Sequence, residues 1–271
     1  MFDHKEIVND PVTKEQLKAA LTKLGVKKGQ IIEVHTKLSS FEWLIGGAET
    51  IVDALMELEG EGGTILMPLQ TSGNSEPSDW VNPPVAPESY KAVREAMPPF
   101  SPEHSDITGM GETVENFRHR EGVVISNHPN CAYAAWGRYA RLLCNRQSLH
   151  FALAEESPTA RLYELKGFVL LIGADFDSTT CMHLAEYRTD CRPIKIMGAC
   201  VNEGTGPEWK KYLDLDIDSS VFPKICGQMA RKNMIREIML GGSKIQFFSA
   251  ASAIDEATSY FEKTSVYELY R

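Results

Sequence analysis

Apolar and polar residues recur along this chain with two different periods, and segments of the two kinds alternate. Leu17, Leu21 and Leu24 stand at helical spacing behind Thr13 and Gln16, the two ends of a T-K-E-Q capping box. The run 31–35 (I-I-E-V-H) then reads as a strand that ends in a polar loop at 36–40. Gly46 and Gly47 precede a second helix with Ile51, Val52, Leu55, Met56 and Leu58 as its apolar stripe. Residues 60–63 (G-E-G-G) stop that helix, and 64–67 is a short buried strand ending at Pro68. Farther on, 122–126 and 168–172 read as strands, with Ser157-Pro158 as an N-cap and first-turn proline between them. A helix-like segment over 180–188, the runs 193–201 and 244–249, and an amphipathic stretch at 253–260 complete the pattern. Strands separated by helix-like segments, with no repeat or linker, predict one α/β domain over 1–271.

The segment 71–109 breaks the rhythm. It holds seven of the fourteen prolines, at 77, 83, 84, 87, 98, 99 and 102. Long irregular segments inside a compact domain are commonly lids or binding loops, so this Pro-rich insertion is expected to shape a ligand site.

Charge narrows the range of partners. The 271 residues carry 28 Lys and Arg against 37 Asp and Glu, a net charge of −9. Such a chain is a poor polyanion binder, which argues against nucleic acid, and its field favours a small cationic substrate. The six cysteines (131, 144, 181, 191, 200, 226) form no CxxC and no cluster with histidine, so no metal is expected. Scattered thiols, a polar start (M-F-D-H-K-E) and no long apolar run predict a cytoplasmic location with no signal peptide and no membrane association. Oligomeric state is left open, a homo-oligomer included. Several common signatures are absent: the P-loop, GxGxxG after a strand, G-x-S-x-G and HExxH.

Three constellations carry candidate chemistry. His35, Thr36, Lys37, Ser39 and Ser40, at the end of a strand, offer donors beside a helix start at Gly46-Gly47, where anionic groups are favoured. On spacing alone the plainer reading, a polar loop with a helix-starting glycine pair, outweighs it. The second lies just after the most apolar strand and includes Asp177, Ser178, Thr180, His183 and Glu186. In a helix His183 and Glu186, three apart, share a face, and a carboxylate behind an imidazole makes a general base. A capped helix with a surface ion pair is the alternative. Asp214, Asp216 and Asp218 form the third, a cation-facing strand edge or, more simply, a solvated acidic loop. The other histidines (4, 104, 119, 128, 150) read as structural or solvent-facing.

Together these residues resemble the aminoglycoside 3-N-acetyltransferase family. The matching strings include His35-x3-Ser39-Ser40 with Trp43 and Gly46-Gly47-Ala48-x-Thr50, Gly63-Thr64-x2-Met67-Pro68, and Asp79-Trp80-x-Asn82-Pro83-Pro84. Others are Ser126-Asn127-His128-Pro129, Ser157-Pro158-x-Ala160-Arg161-Leu162-Tyr163, Asp177-Ser178-x-Thr180-x2-His183-Leu184-Ala185-Glu186 and Asp216-Ile217-Asp218. The resemblance implies a central mixed sheet flanked by helices, and acetyl transfer from acetyl-CoA to the 3-amino group of a 2-deoxystreptamine ring, hence antibiotic resistance. It also implies His183 as general base, supported by Glu186 or by an acid of the 214–218 stretch such as Asp216. The 35–40 loop, Gly46, Gly47 and Ser178 then match positions that line CoA. Thr179 stands where many relatives carry asparagine, and Lys37 where an uncharged residue is usual. Backbone N–H groups or hydroxyls of the 178–180 loop are the expected oxyanion donors. Direct transfer is expected, because Cys181 lies two residues from His183 and so on another side of any helix.

Overall fold

Helix α1 (Lys14–Leu24) begins where the capping box predicts. Thr13 Oγ1 accepts the Gln16 N–H at 3.2 Å and Gln16 Oε1 accepts the Thr13 N–H at 2.8 Å. Gly25, at φ 103°, closes the helix. This structure is a computed structural model that describes residue 8 and residues 10–264.

Next come β1 (Ile31–Thr36), α2 (Gly47–Glu59) and β2 (Thr64–Gln70). The Pro-rich insertion is mostly irregular but contains α3 (Tyr90–Ala96), and α4 (Glu112–Arg118) follows it. Strands β3 (Val124–Ile125) and β4 (Cys131–Gly137) lead to α5 (Ala140–Cys144), α6 (Pro158–Glu164) and β5 (Phe168–Ile172). A 3₁₀ turn at Thr180–His183 runs into α7 (Leu184–Tyr187). The hairpin β6 (Ile194–Asn202) and β7 (Pro207–Leu215) precedes α8 (Phe222–Arg231), β8 (Arg236–Leu240), β9 (Ser243–Ser249) and α9 (Ala250–Lys263).

Seven strands form one mixed sheet in the order β3-β4-β2-β1-β5-β9-β8, and β6 with β7 forms a separate two-stranded sheet. β1 is parallel to both its neighbours, β2 and β5, while every other pairing in the large sheet is antiparallel. Successive side chains of a strand point to opposite faces. On β5, Leu170 and Ile172 join the core under α1, α2 and α4 (Leu17, Leu21, Ile51, Leu55, Phe117). Val169 and Leu171 join the core under α6, α8 and α9 (Leu162, Phe222, Ile225, Ile254, Phe261). A strand covered on both faces explains why 168–172 is uniformly apolar.

Three expectations change. β2 continues through Pro68 to Gln70. Its pairing with β1 covers only Thr64–Leu66, so by Pro68 the strand is registered with β4 alone, where a residue lacking an N–H is tolerated. β4 was not expected at all, because its sequence C-A-Y-A-A-W-G is rich in alanine, a weak strand former. Of the acids at 214–218, Asp216 and Asp218 do lie in a loop with exposed side chains, but Asp214 does not. Asp214 closes β7 and is buried, accepting from Tyr187 Oη at 2.6 Å and from the backbone N–H of Leu215 and Ala152. Burial raises its pKa, against those hydrogen bonds.

Candidate active site

The C-terminal ends of the three parallel strands open on one cavity of about 280 Å³, where open α/β sheets collect ligands. Its wall takes His35 and Thr36 from β1, Gln70 from β2, and Ala174, Asp177, Ser178, Thr180 and His183 from the segment after β5. Gly109 and Met110, at the end of the Pro-rich insertion, close one side, and Ser219 contributes from beyond the hairpin.

His183 ends the 3₁₀ turn and is 8% exposed, so only its edge meets the cavity. Its Nδ1 hydrogen bonds to Glu186 Oε2, across the junction with α7. The Phe222 ring packs 4.9 Å away, centroid to centroid, and limits the tilt of the imidazole. Glu186 is fully buried and receives donors on both oxygens: Oε1 takes the Arg192 Nε–H at 2.5 Å and the Asp218 N–H at 3.1 Å. Arg192, itself buried, also donates from Nη2 to the Asp218 carbonyl at 2.9 Å. A carboxylate held in this way accepts Nδ1–H, which leaves the Nε2 lone pair as the free one on the ring.

Of the two carboxylate partners proposed for His183, the structure brings Glu186 to the ring. Asp216 lies on the exposed edge of the hairpin, with Oδ1 2.8 Å from Lys195 Nζ. Asp218 enters through its backbone, and its side chain caps the next turn by accepting from Ser220 N–H and Oγ–H. Burial raises the Asp218 pKa, but the Ser220 donors and the nearby Arg192 and His183 outweigh it, so the net shift is downward.

Among the residues expected to line CoA, His35, Thr36 and Ser178 border the cavity. Lys37, Ser39, Ser40, Gly46 and Gly47 lie outside its wall. Lys37 Nζ lies 3.5 Å from Asp175 Oδ2, both side chains exposed. Ser40 Oγ meets Ser243 Oγ at 2.8 Å, and the pair presses on Gly173, whose φ is 71°. A Cβ there would lie 1.8 Å from Ser40 Oγ. Gly46 (φ 78°) and Gly47 (φ 54°) start α2 with no side-chain cap, and the Gly47 N–H goes to the Leu44 carbonyl at 3.1 Å.

The 178–180 loop offers fewer oxyanion donors than expected. The N–H groups of Ser178 and Thr179 go to the Asp175 and Phe176 carbonyls, and the Ser178 hydroxyl also goes to Asp175. Thr180, whose hydroxyl makes a long 3.4 Å contact to the Ser178 carbonyl and also interacts with the Tyr133 hydroxyl, is the remaining candidate. Cys181 is fully buried, and its thiol pKa is raised by burial and by nearby Glu33, which disfavours a thiolate nucleophile.

The sequence reading missed Glu33 and Arg192. Glu33 is a lone acid in an apolar strand, two residues before His35 and so on the same face; that spacing was the available signal. Arg192 carried none. His128 is buried in the core with its pKa lowered to about 4 by burial, while His4 lies outside the described residues. Among the described residues, no group of three or more His, Cys, Asp or Glu side chains is placed to hold a metal, and no helix is long and apolar enough to cross a membrane.

The strand-end cavity and the His183–Glu186 pair on its wall are the candidate active site of this mixed-sheet fold. The sequence pattern of the aminoglycoside 3-N-acetyltransferase family matches residues 34–262, and the chain belongs to that family. It is 38% identical over 252 residues to the SPbeta prophage-derived aminoglycoside N(3')-acetyltransferase-like protein YokD of Bacillus subtilis (strain 168), covering 93% of each chain. It is 29% identical over 279 residues to aminoglycoside N(3)-acetyltransferase VIII of Streptomyces fradiae, covering 96% of each. The crystal structure of YokD superposes with a TM-score of 0.91 at 37% identity, over 95% of this chain and 97% of that one. AAC-IIIb, solved as a binary complex with CoASH, gives 0.84 at 28% identity, over 94% and 97%. AAC-VIa bound to sisomicin gives 0.82 at 25% identity, over 93% and 98%.

Proposed function

We propose that this protein transfers the acetyl group of acetyl-CoA to a primary amine of a small cationic substrate by direct attack, with His183 as general base. A 2-deoxystreptamine aminoglycoside, acetylated at its 3-amino group, is the first substrate to test. The observation that carries the reading is His183, with Nδ1 tied to a buried carboxylate and the other ring nitrogen free at the edge of the cavity. Attack on a thioester needs a neutral amine, whereas an alkyl amine is protonated at pH 7. His183 takes the remaining amine proton as the C–N bond forms, a service worth about 10²–10⁴-fold. Glu186 fixes the tautomer and supports the imidazolium, and Arg192 and the Asp218 N–H hold Glu186. Thr180 is the candidate donor to the tetrahedral oxyanion. Outside the cavity wall, the exposed Lys37 and the start of α2, which no side chain caps, are the groups offered to the phosphates of acetyl-CoA. The complexes of AAC-IIIb with CoASH and AAC-VIa with sisomicin support both halves of this reading.

One observation favours a smaller amine. Among the described residues, Asp177 is the only carboxylate on the cavity wall, few charges for a polycationic sugar. The test is thiol release from acetyl-CoA with a panel of aminoglycosides, diamines and monoamines. Amine-dependent release supports acetyl transfer, and its fastest member names the substrate class. CoA binding without release from any amine would leave a binding protein and end the enzymatic reading.

A further inference from the structure

Strand β1 brings a second histidine–carboxylate pair to the same cavity. His35 Nε2 lies 2.7 Å from Glu33 Oε1, and both side chains point toward the α6–α9 side of the sheet. Glu33 has no exposed surface. Its Oε1 also accepts the Cys181 N–H at 3.2 Å, and its Oε2 has no hydrogen-bond partner among the described residues. Burying a carboxylate with a bare oxygen is costly, so a strand that keeps one among Ile32 and Val34 keeps it for its partner. With Nε2 turned to Glu33, Nδ1 is the nitrogen His35 retains for the cavity, where the residue is 8% exposed. The cavity therefore holds two imidazoles, each backed by a buried carboxylate through one ring nitrogen. The two pairs are linked, since the Cys181 N–H that holds Glu33 belongs to the same 3₁₀ turn as His183.

Acetyl transfer moves two protons, one off the amine and one onto sulfur, and His183 accounts only for the first. We propose that His35, held by Glu33, is the general acid that protonates the departing sulfur; this rests on the acetyl-transfer reading above. The amine nitrogen bonds to the acetyl carbon while its proton passes to Nε2 of His183. When the tetrahedral intermediate collapses, the C–S electron pair goes to sulfur, which takes the proton from Nδ1 of His35. His183 then loses a proton to solvent and His35 regains one, leaving one amide and one thiol. Glu33 stabilises the imidazolium before transfer. Contact with the pantetheine arm alone would need no buried carboxylate behind the ring.

The test compares two acetyl donors on one enzyme preparation. Acetyl-CoA releases an alkyl thiol, while the acetyl thioester of 4-nitrothiophenol releases a thiolate that leaves without protonation. Sisomicin is the acceptor, or the fastest amine of the panel if sisomicin is not turned over. In His35→Asn and Glu33→Gln, kcat with acetyl-CoA should fall by about 10²-fold or more, and kcat with the aryl thioester should stay within about tenfold of wild type. Because both rates come from the same sample, their ratio does not depend on how much variant is folded. Equal losses with both donors, or a raised KM for acetyl-CoA with kcat intact, would overturn the assignment and leave His35 a CoA contact. Wild-type enzyme that acetylates no amine from either donor would instead overturn the acetyl-transfer reading itself.

Discussion

Replacing Glu186 by glutamine removes one charge and almost no volume, yet the structure predicts a loss close to that of the base itself. Both carboxylate oxygens accept hydrogen bonds: Oε2 from His183 Nδ1, Oε1 from Arg192 Nε at 2.5 Å and Asp218 N at 3.1 Å. An amide has one accepting oxygen. Turned toward Arg192 and Asp218, it satisfies a guanidinium N–H and a backbone N–H; turned toward His183, it sets an NH₂ group against both of those donors. The first orientation wins, and the amide nitrogen then donates to Nδ1. The ring proton moves to Nε2, the nitrogen that must accept from the amine. The imidazole is present, well packed on Phe222, and in the wrong tautomer. We expect kcat to fall by roughly 10²–10⁴, about 3–5 kcal/mol in the barrier, with KM for acetyl-CoA near wild type. Arg192 keeps the Asp218 carbonyl, so the variant should fold, losing on the order of 1.5–3 kcal/mol for a hydrogen bond to a charged group. Thiol release under saturating substrates measures the rate, and ¹⁵N NMR of the imidazole reads the tautomer. A variant within tenfold of wild type whose ring still carries its proton on Nδ1 would refute this account.

Four further outcomes follow from the same structure. His183→Ala should lower kcat by roughly 10²–10⁴ with CoA affinity, read by calorimetry, nearly unchanged; a variant keeping more than about a tenth of the activity would dismiss His183 as the base. Gly173→Ala puts a methyl group 1.8 Å from Ser40 Oγ at a left-handed backbone position, so the 36–40 loop must shift, and KM for acetyl-CoA should rise more than kcat falls. Glu59 is fully buried, and burial, only partly opposed by the backbone of Gln30, raises its pKa to about 8. Its contribution to stability is therefore complete below pH ~4.5 and is lost as pH rises toward 8, on the order of 3 kcal/mol by pH 7; Glu59→Gln should flatten that slope in denaturant titrations from pH 5 to 8.5. With a net charge of −9, the kcat/KM of a polycationic amine should drop between low and physiological salt, whereas a salt-independent rate would indicate a substrate of low charge.

How much of this was legible in the sequence depended on whether a feature was local. α1 could be placed because its capping box and its apolar stripe lie within the twelve residues Thr13–Leu24. β5 could be placed because burial on both faces made it uniformly apolar. β4 could not, since its place in the sheet comes from partners on both sides, β2 and β3, and its alanines advertise nothing. The same divide runs through the site. His183 and Glu186 are three residues apart, and a helical reading pairs them directly. Arg192, which holds Glu186, reaches it through a turn no spacing rule describes. Asp216 matched a motif and looked as suitable as Glu186, yet the hairpin register sets Asp214 opposite Lys195 and leaves Asp216 beyond the strand, on the Lys195 ammonium.

The two buried carboxylates also show how the topology supports the chemistry. β1 is the one strand of the sheet flanked by parallel neighbours on both sides, so the ends of three strands open on a single cavity. A histidine at the end of β1 reaches that cavity, while an acid two residues earlier on the same face lies deep beneath it, where water cannot compete for the ring. The segment after β5 repeats the arrangement from the adjacent strand, using a 3₁₀ turn and one turn of helix to set Glu186 behind His183. Each buried acid costs stability, and the compensation differs: both oxygens of Glu186 accept, from His183, Arg192 and the Asp218 N–H, whereas Glu33 has His35 and one backbone N–H on a single oxygen. If Glu33 served the fold alone, Glu33→Gln would stabilise the protein or leave it unchanged without touching the rate. A variant as stable as wild type but slower with acetyl-CoA than with the aryl thioester would place the use of that carboxylate in the proton delivered to sulfur.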